Sequence, residues 1–360
     1  MLPRLFGYRR RGRRCLLAIL LVAGAGVNLW FVASTAGLGP GESAVGGGPG
    51  GQASEEGRVR GREPEPELPP PCPYWCRGPP PMDPNTTALL KAYTTTDDVA
   101  DSVTPVYFLT AVVSVRIYPW RDKAGLGTAE LVQWLRYLSY AGVEHVYLYD
   151  AYAFDNESQA DAMGEFVSSG YLTYTDWHHR AVPFSLARTQ AAAYGDCLRR
   201  WGRLSAWQLG TDIDEYPFAP ADRRPGFLAR FLAGLDPKAS PEVTELSMQN
   251  YLFLGKPLDR LSHPLLVDRL WRRTRKVGNH LVKPIYRPPA VKWRDIHTDA
   301  LRYGERRTLK ADTEVRLNHY WGARLQNWGE DTKEILDRTV VDKSMQPIVD
   351  NLYKCDSCRP

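Results

Sequence analysis

"TAELVQWLRYLSYAGVEHVYLYD" (residues 128–150) decides the fold class. Leu131, Leu135, Leu138 and Ala141 fall near helical spacing, and Gly142 is the kind of residue that stops a helix. "EHVYLYD" then runs β-branched and aromatic, as a strand buried on both faces does. Upstream, "VYFLTAVVSVRIY" (106–118) has the same character. Strand, helix and strand in that order predict a β-α-β unit with a right-handed crossover and a parallel sheet.

The alternation continues. A helix is expected over 157–169, a strand at "GYLTYTDW" (170–177), a helix over 184–201 and a strand at "LSAWQLGTDIDE" (204–215). Beyond 220 the pattern gives a helix over 225–234 and strands in "VTELSMQNYLFL" (243–254), "HLVKPIYRP" (280–288) and "EVRLNHYW" (314–321). A last helix is expected over 330–339. No internal repeat, GxGxxG after a strand, GxxxxGK[ST] or HExxH is present. Open α/β sheets bind ligands outside the carboxyl ends of their strands, so Asp150 and the pair Asp212 and Asp214 are expected to face one crevice.

"GTDIDEYPF" (210–218) carries the chemistry. Alternate residues of a regular strand point to opposite faces, so Asp212 and Asp214 grip one ion only if the strand breaks between them. Pro217 and the crowding of Asp212, Asp214 and Glu215 allow that break. Three carboxylates within four residues repel one another unless a cation or donors intervene. Mn²⁺ or Mg²⁺ answers that need, with a bound diphosphate supplying the remaining ligands. The competing reading is a solvated polar strand end.

Charge and hydropathy set the surroundings. Of 46 basic residues, six arginines lie within 1–14, which leaves 40 against 41 acidic residues. That balance argues against a nucleic-acid partner, which needs a concentrated basic face. Residues 15–33 carry no charge over 19 positions, long enough to cross a bilayer as a helix. With the arginines before it, this reads as a signal anchor with the remainder in a secretory lumen; a cleaved signal peptide is the alternative. Residues 36–81 hold 11 glycines and 11 prolines and are expected to form an extended stalk. Cys72, Cys76, Cys355 and Cys358 are expected to form disulfides in that lumen, a zinc site being the sharper alternative, while Cys197 is expected to be a buried thiol. Asn85 and Asn156 begin sequons.

The ordered set "WLRYLSYAGVEHVYLYD", "RTQAAAYGDCL", "TDIDEYPF", "HLVKPIYRP", "DIH" and "RLNHYW" resembles glycosyltransferase family 92, the group that includes plant β-1,4-galactan synthases. The resemblance covers roughly residues 106–340 and rests on the order of six motifs rather than on any one. It implies a GT-A fold, a Rossmann-related open mixed sheet with helices on both faces. It also implies a sugar nucleotide donor, most readily UDP-galactose, a glycan acceptor such as a cell-wall polysaccharide, a divalent cation (Mn²⁺ or Mg²⁺) and inversion at the anomeric carbon. The organisation expected is a cytosolic tail over 1–14, an anchor over 15–34, a stem over 35–104, a catalytic region over 105–345 and a C-terminal tail over 346–360. Such a chain is a type II Golgi membrane protein; its oligomeric state is left open, a homo-oligomer included.

Carried over by residue, Asp212 and Asp214 match the DxD motif, with Asp214 as direct metal ligand, and Glu215 matches the acidic third position. Gln190 and Asp196 match a "Q…DC" signature, with site-facing and structural roles equally open. Lys283 matches "K…RP" and is expected to meet phosphate or to be solvated. His297 and His319 are the candidates for a late metal-ligating histidine. Asp150 is expected to meet the nucleoside. For the general base the expectation is Asp295, with Asp299, Glu245 and Asp268 as alternatives. The late aromatic residues are expected to be mostly core. Gln133-Trp134 and "YDAYAFDNES" depart from the family pattern and leave donor choice open.

Overall fold

At Gly142 the backbone turns left-handed, φ 101°, and its amide closes on the carbonyls of Leu138 and Ser139. In the computed structural model, residues 105–117, 126–180, 186–235, 242–277, 281–323 and 330–353 are described. The residues expected to form the anchor and stem lie outside these, as do Cys72, Cys76, Cys355, Cys358 and Asn85. Among the described residues, no helix is long and apolar enough to cross a membrane.

A seven-stranded sheet runs in the order β12 (Glu305–Thr308), β6 (Val243–Met248), β9 (Lys283–Tyr286), β4 (Ser205–Gly210), β1 (Tyr107–Val115), β2 (His145–Asp150) and β3 (Leu172–Asp176). The four strands β4, β1, β2 and β3 are parallel, as the β-α-β pattern predicts. Strand β9 lies antiparallel to both β4 and β6, which makes the sheet the open mixed one expected from the family resemblance.

Strand alternation sends side chains to two covered faces. On one face Leu109, Val113, Val146 and Leu148 meet Leu131, Leu135 and Leu138 of α1 (Thr128–Ala141). On the other, Val112, Tyr147 and Tyr149 meet Ala193, Tyr194 and Cys197 of α3 (Leu186–Trp201). Helix α2 (Ala160–Ser168) connects β2 to β3. Cys197 is a buried free thiol, as expected, and burial raises its pKa. Asn156 is exposed.

A second sheet, in the order β14 (Thr339–Val341), β8 (Arg272–Thr274), β7 (Asn250–Leu254), β13 (Arg316–His319) and β5 (Glu215–Phe218), is built from late strands. The stretch 204–218 does not run as one strand. Strand β4 stops at Gly210, a turn spans 211–214, and Glu215 opens β5 in the other sheet. Likewise 243–254 splits at Gln249, sending β6 to one sheet and β7 to the other. Residues Val291–Trp293 (β10) and Ala300–Leu301 (β11) make a small antiparallel pair.

Helices α4 (Phe227–Ala233), α5 (Leu266–Arg269) and α6 (Lys333–Arg338) precede α7 (Gln346–Tyr353). Helix α7 lies where a C-terminal tail was expected. Its Ile348, Val349 and Leu352 are buried with the main core, so the fold extends past residue 345. Each such side chain contributes about 1.5–3 kcal/mol on burial.

Candidate active site

The break at Gly210 positions the acidic turn. Gly210 is packed against the guanidinium of Arg294, so closely that a Cβ there would collide with it. Arg294 is fully buried, ion-paired with Asp299 and laid over the rings of Tyr286 and Tyr194, 4.0 and 5.2 Å from their centroids. The Tyr194 hydroxyl donates to the Thr211 carbonyl at 3.3 Å and receives Gln190 Nε2 at 2.9 Å. The turn closes on itself. The Glu215 amide donates to the Asp212 carbonyl at 3.0 Å, and the Asp212 amide and Thr211 hydroxyl each donate to Glu215 Oε2 at 3.0 Å.

Six expected site residues converge here. Lys283, at the start of β9, places Nζ 2.9 Å from Asp212 Oδ2 and 3.4 Å from Glu215 Oε2. Gln190 donates to Asp212 Oδ1. The antiparallel register of β5 and β13 sets His319 opposite Glu215, with His319 Nε2 3.3 Å from Asp214 Oδ2 and Nδ1 3.6 Å from Glu215 Oε1. Asp214 is fully buried, whereas Asp212 is 23% exposed.

The charges balance in pairs. Burial pushes the Glu215 carboxyl up; Lys283 opposes this, Asp212 adds to it, and the net shift is upward. Burial alone would lower the Lys283 ammonium, but Asp212 and Glu215 reverse that and raise it. The solvated-lysine reading of Lys283 is thereby excluded, since its side chain is only 1% exposed.

Divalent cations of the Mg²⁺ type keep several waters and take one or two protein carboxylates plus substrate phosphates. Among the described residues, no three His, Cys, Asp or Glu side chains close a metal site by themselves. Asp212 is occupied by Lys283 and Gln190. Asp214 Oδ2 and His319 Nε2 do fit such an ion. Two adjacent ligands of an octahedral ion with bonds of about 2.1 Å lie roughly 3 Å apart, close to the separation seen. Both ring nitrogens of His319 are buried without a hydrogen-bond partner, and Glu215 sits behind Nδ1 in the position of an outer carboxylate.

His297 stands on the Lys283 side. Its Nδ1 lies 3.1 Å from the Val282 carbonyl, which only a ring N–H satisfies, so Nε2 carries the lone pair. Burial and then the Lys283 charge keep this imidazole neutral by lowering its pKa.

Two expected residues fall elsewhere. Asp150 ends β2, two strands away from β4 and about 10 Å across the sheet. It is fully buried: Oδ2 accepts from the Gln159 amide and the Tyr174 hydroxyl at 2.7 Å each, while Oδ1 is buried without a partner. Asp196 accepts from the Tyr149 hydroxyl at 3.0 Å and pairs with Arg199 and Arg200, pinning α3 to β2.

Of the base candidates, Asp299 is paired with Arg294, Glu245 with Arg306, and Asp268 with His263. Asp295 is half-buried and, among the described residues, forms no ion pair.

Sequence reasoning missed Trp134, whose indole donates to the Glu215 carbonyl at 3.1 Å, and also Thr211, Tyr194 and Arg294. Only Trp134 left a signal, as half of the Gln133-Trp134 departure. Of the late aromatics, Tyr251, Phe253 and Tyr320 are core, while Trp293 is 58% exposed and Trp328 lies outside the described residues.

Residues 128–354 match the model of "Glycosyltransferase family 92", well over half of the chain. The chain belongs to glycosyltransferase family 92. No curated protein matches this family 92 chain. Among solved structures it is similar to S. aureus TarS 1-349, at 12% identity and TM-score 0.36, with 59% of this chain and 60% of that one covered. It is also similar to 4-diphosphocytidyl-2C-methyl-D-erythritol synthase from Anaerococcus prevotii, at 12% identity and TM-score 0.28, covering 64% of this chain and 96% of that one. The chain thus spans under two thirds of the TarS chain.

Proposed function

We propose that this family 92 chain is an inverting, cation-dependent glycosyltransferase with a GT-A-type site, moving a hexose from a UDP-sugar, galactose first among them, onto a glycan. The observation that carries this reading is the convergence of Asp212, Asp214, Glu215, Lys283, Gln190 and His319 on one turn at the carboxyl end of β4.

In this reading Asp214 and His319 would hold the cation, with His297, whose Nε2 carries the lone pair, as a further candidate ligand. A cation held there would supply charge neutralisation for the leaving diphosphate. Lys283 fixes Asp212 and Glu215 so that the turn is ordered before the donor arrives, which limits reorganisation during reaction. Gln190 aligns the other oxygen of Asp212. Asp150 supports the loop beyond β2 on which the nucleoside would rest, by accepting the Gln159 amide at Oδ2. Asp196 acts structurally.

Inversion requires one base within hydrogen-bond reach of the acceptor hydroxyl. Asp295 fills that role, because the alternatives Asp299, Glu245 and Asp268 already hold partners. The protein is read as a type II Golgi membrane enzyme with its catalytic region in the lumen, resting on the sequence of residues 1–34.

The test is a panel of sugar nucleotides incubated with the full chain, with and without Mn²⁺, while nucleotide release is measured. Release from a UDP-hexose that depends on Mn²⁺ is expected. If no donor is turned over, the chain is a carbohydrate-binding or scaffold protein of the same fold.

A further inference from the structure

The amino end of β4 lies beside a cleft of about 650 Å³, bordered by Ser205. Six residues of β4 at about 3.3 Å each separate it from the acidic turn by roughly 20 Å. Its rim carries Arg199, Arg203, Lys292 and Arg302, its floor Leu198 and Pro288, and among the described residues no acidic side chain lines it. Arg199 is 71% exposed and reaches Asp196 at 3.3 Å, and Arg302 Nε donates to the Val291 carbonyl at 3.1 Å. Arg203 and Lys292 meet no acid among the described residues.

Three of these cations, Arg203, Lys292 and Arg302, hold no carboxylate among the described residues, and like charges around one cleft favour an entering anion. The volume lies within the range of small-molecule sites, about 300–1,000 Å³, and is far larger than one inorganic ion needs. Among the described residues no aromatic ring lines it, so it shows no stacking platform of the kind that holds nucleic-acid bases. Proline and leucine instead offer a small aliphatic surface beside the cations. Guanidinium groups present forked donors matched to carboxylate and sulfate oxygens.

We propose that this cleft binds an acidic oligosaccharide, one that carries sulfate or uronate groups. It is separate from the acidic turn, and the binding stands whether or not the chain transfers a sugar.

The test uses the full chain and a heparin-derived hexasaccharide titrated calorimetrically at two salt concentrations. Saturable binding is expected, weakened at least about tenfold at high salt. The double variant Arg203→Glu, Lys292→Glu is expected to lose binding by at least about tenfold with an unchanged melting temperature. If that variant does not fold, Arg203→Gln with Lys292→Gln makes the same comparison. A neutral oligosaccharide of equal length is expected not to compete. No saturable binding, equal binding by the variants, or equal competition by the neutral sugar overturns the proposal. So does charge-dependent adsorption to phosphatidylserine vesicles, lost in the variants, without hexasaccharide binding.

Discussion

Lys283 Nζ lies 2.9 Å from Asp212 Oδ2 and 3.4 Å from Glu215 Oε2, so one buried ammonium bridges an acid of the turn and the acid that opens β5. Removing one partner of a buried pair costs about 3–5 kcal/mol, because the remaining charge is left uncompensated. Lys283→Met is therefore expected to lose about 3 kcal/mol in urea denaturation, with Mn²⁺ raising its melting temperature more than that of the unsubstituted protein. A loss no greater than that of an ordinary surface substitution contradicts the bridge.

Gly210 and Arg294 make a second prediction. The guanidinium has no room to retreat, since it is held between two tyrosine rings and bound to Asp299. Gly210→Ala is expected to cost about 1–3 kcal/mol by overpacking and to lower activity through displacement of the adjoining turn. Arg294→Lys in the Gly210→Ala background, being slimmer, should recover part of the stability; denaturant midpoints of the two variants decide this.

Acid sensitivity should trace to Asp342. Burial pushes its carboxyl up, but Ser344, then Arg273 and Arg316, more than offset this and hold it below the usual range. A depressed carboxyl pKa contributes stability that is present above the unfolded value, about 3.9, and lost as pH falls through the folded one. The melting temperature is expected to drop as pH falls below about 4, and Asp342→Asn should flatten that drop while lowering stability at neutral pH. Parallel pH profiles for the two proteins count against it.

Truncation after Met345 removes α7 and with it Ile348, Val349 and Leu352 from the core. Loss of several buried aliphatic side chains, at about 2–5 kcal/mol each, exceeds the stability of most domains. The truncated chain is expected to be unfolded by circular dichroism, whereas truncation after Tyr353 should leave the fold intact. A cooperative melt for the shorter chain rejects this.

Much of this was legible in the sequence. Local periodicity gave β1, α1 and β2, because hydrophobic spacing and the Gly142 stop act within a few residues. The acidic turn was legible too, as was the need for the strand to break inside it. The switch of sheets at 211–214 was not, since it depends on β5 pairing with β13 a hundred residues later in the chain. That same pairing sets His319 beside Asp214, which no spacing reveals. Asp150 illustrates the opposite case: the strand end was placed correctly, yet only the fold shows its carboxylate turned inward to Gln159 and Tyr174. Helix α7 escaped notice because "QPIVDNLY" is short and follows no helix-start signal strong enough to separate it from a tail.

In the proposed function the turn at Asp214 would hold a divalent cation together with a nucleotide diphosphate. Mn²⁺ binding followed by electron paramagnetic resonance, with and without UDP, tests it in the unsubstituted protein, Asp214→Asn and His319→Ala. Tight Mn²⁺ uptake that requires UDP and weakens at least about tenfold in each variant is the predicted result. Equal uptake by all three proteins, or uptake indifferent to UDP, contradicts it.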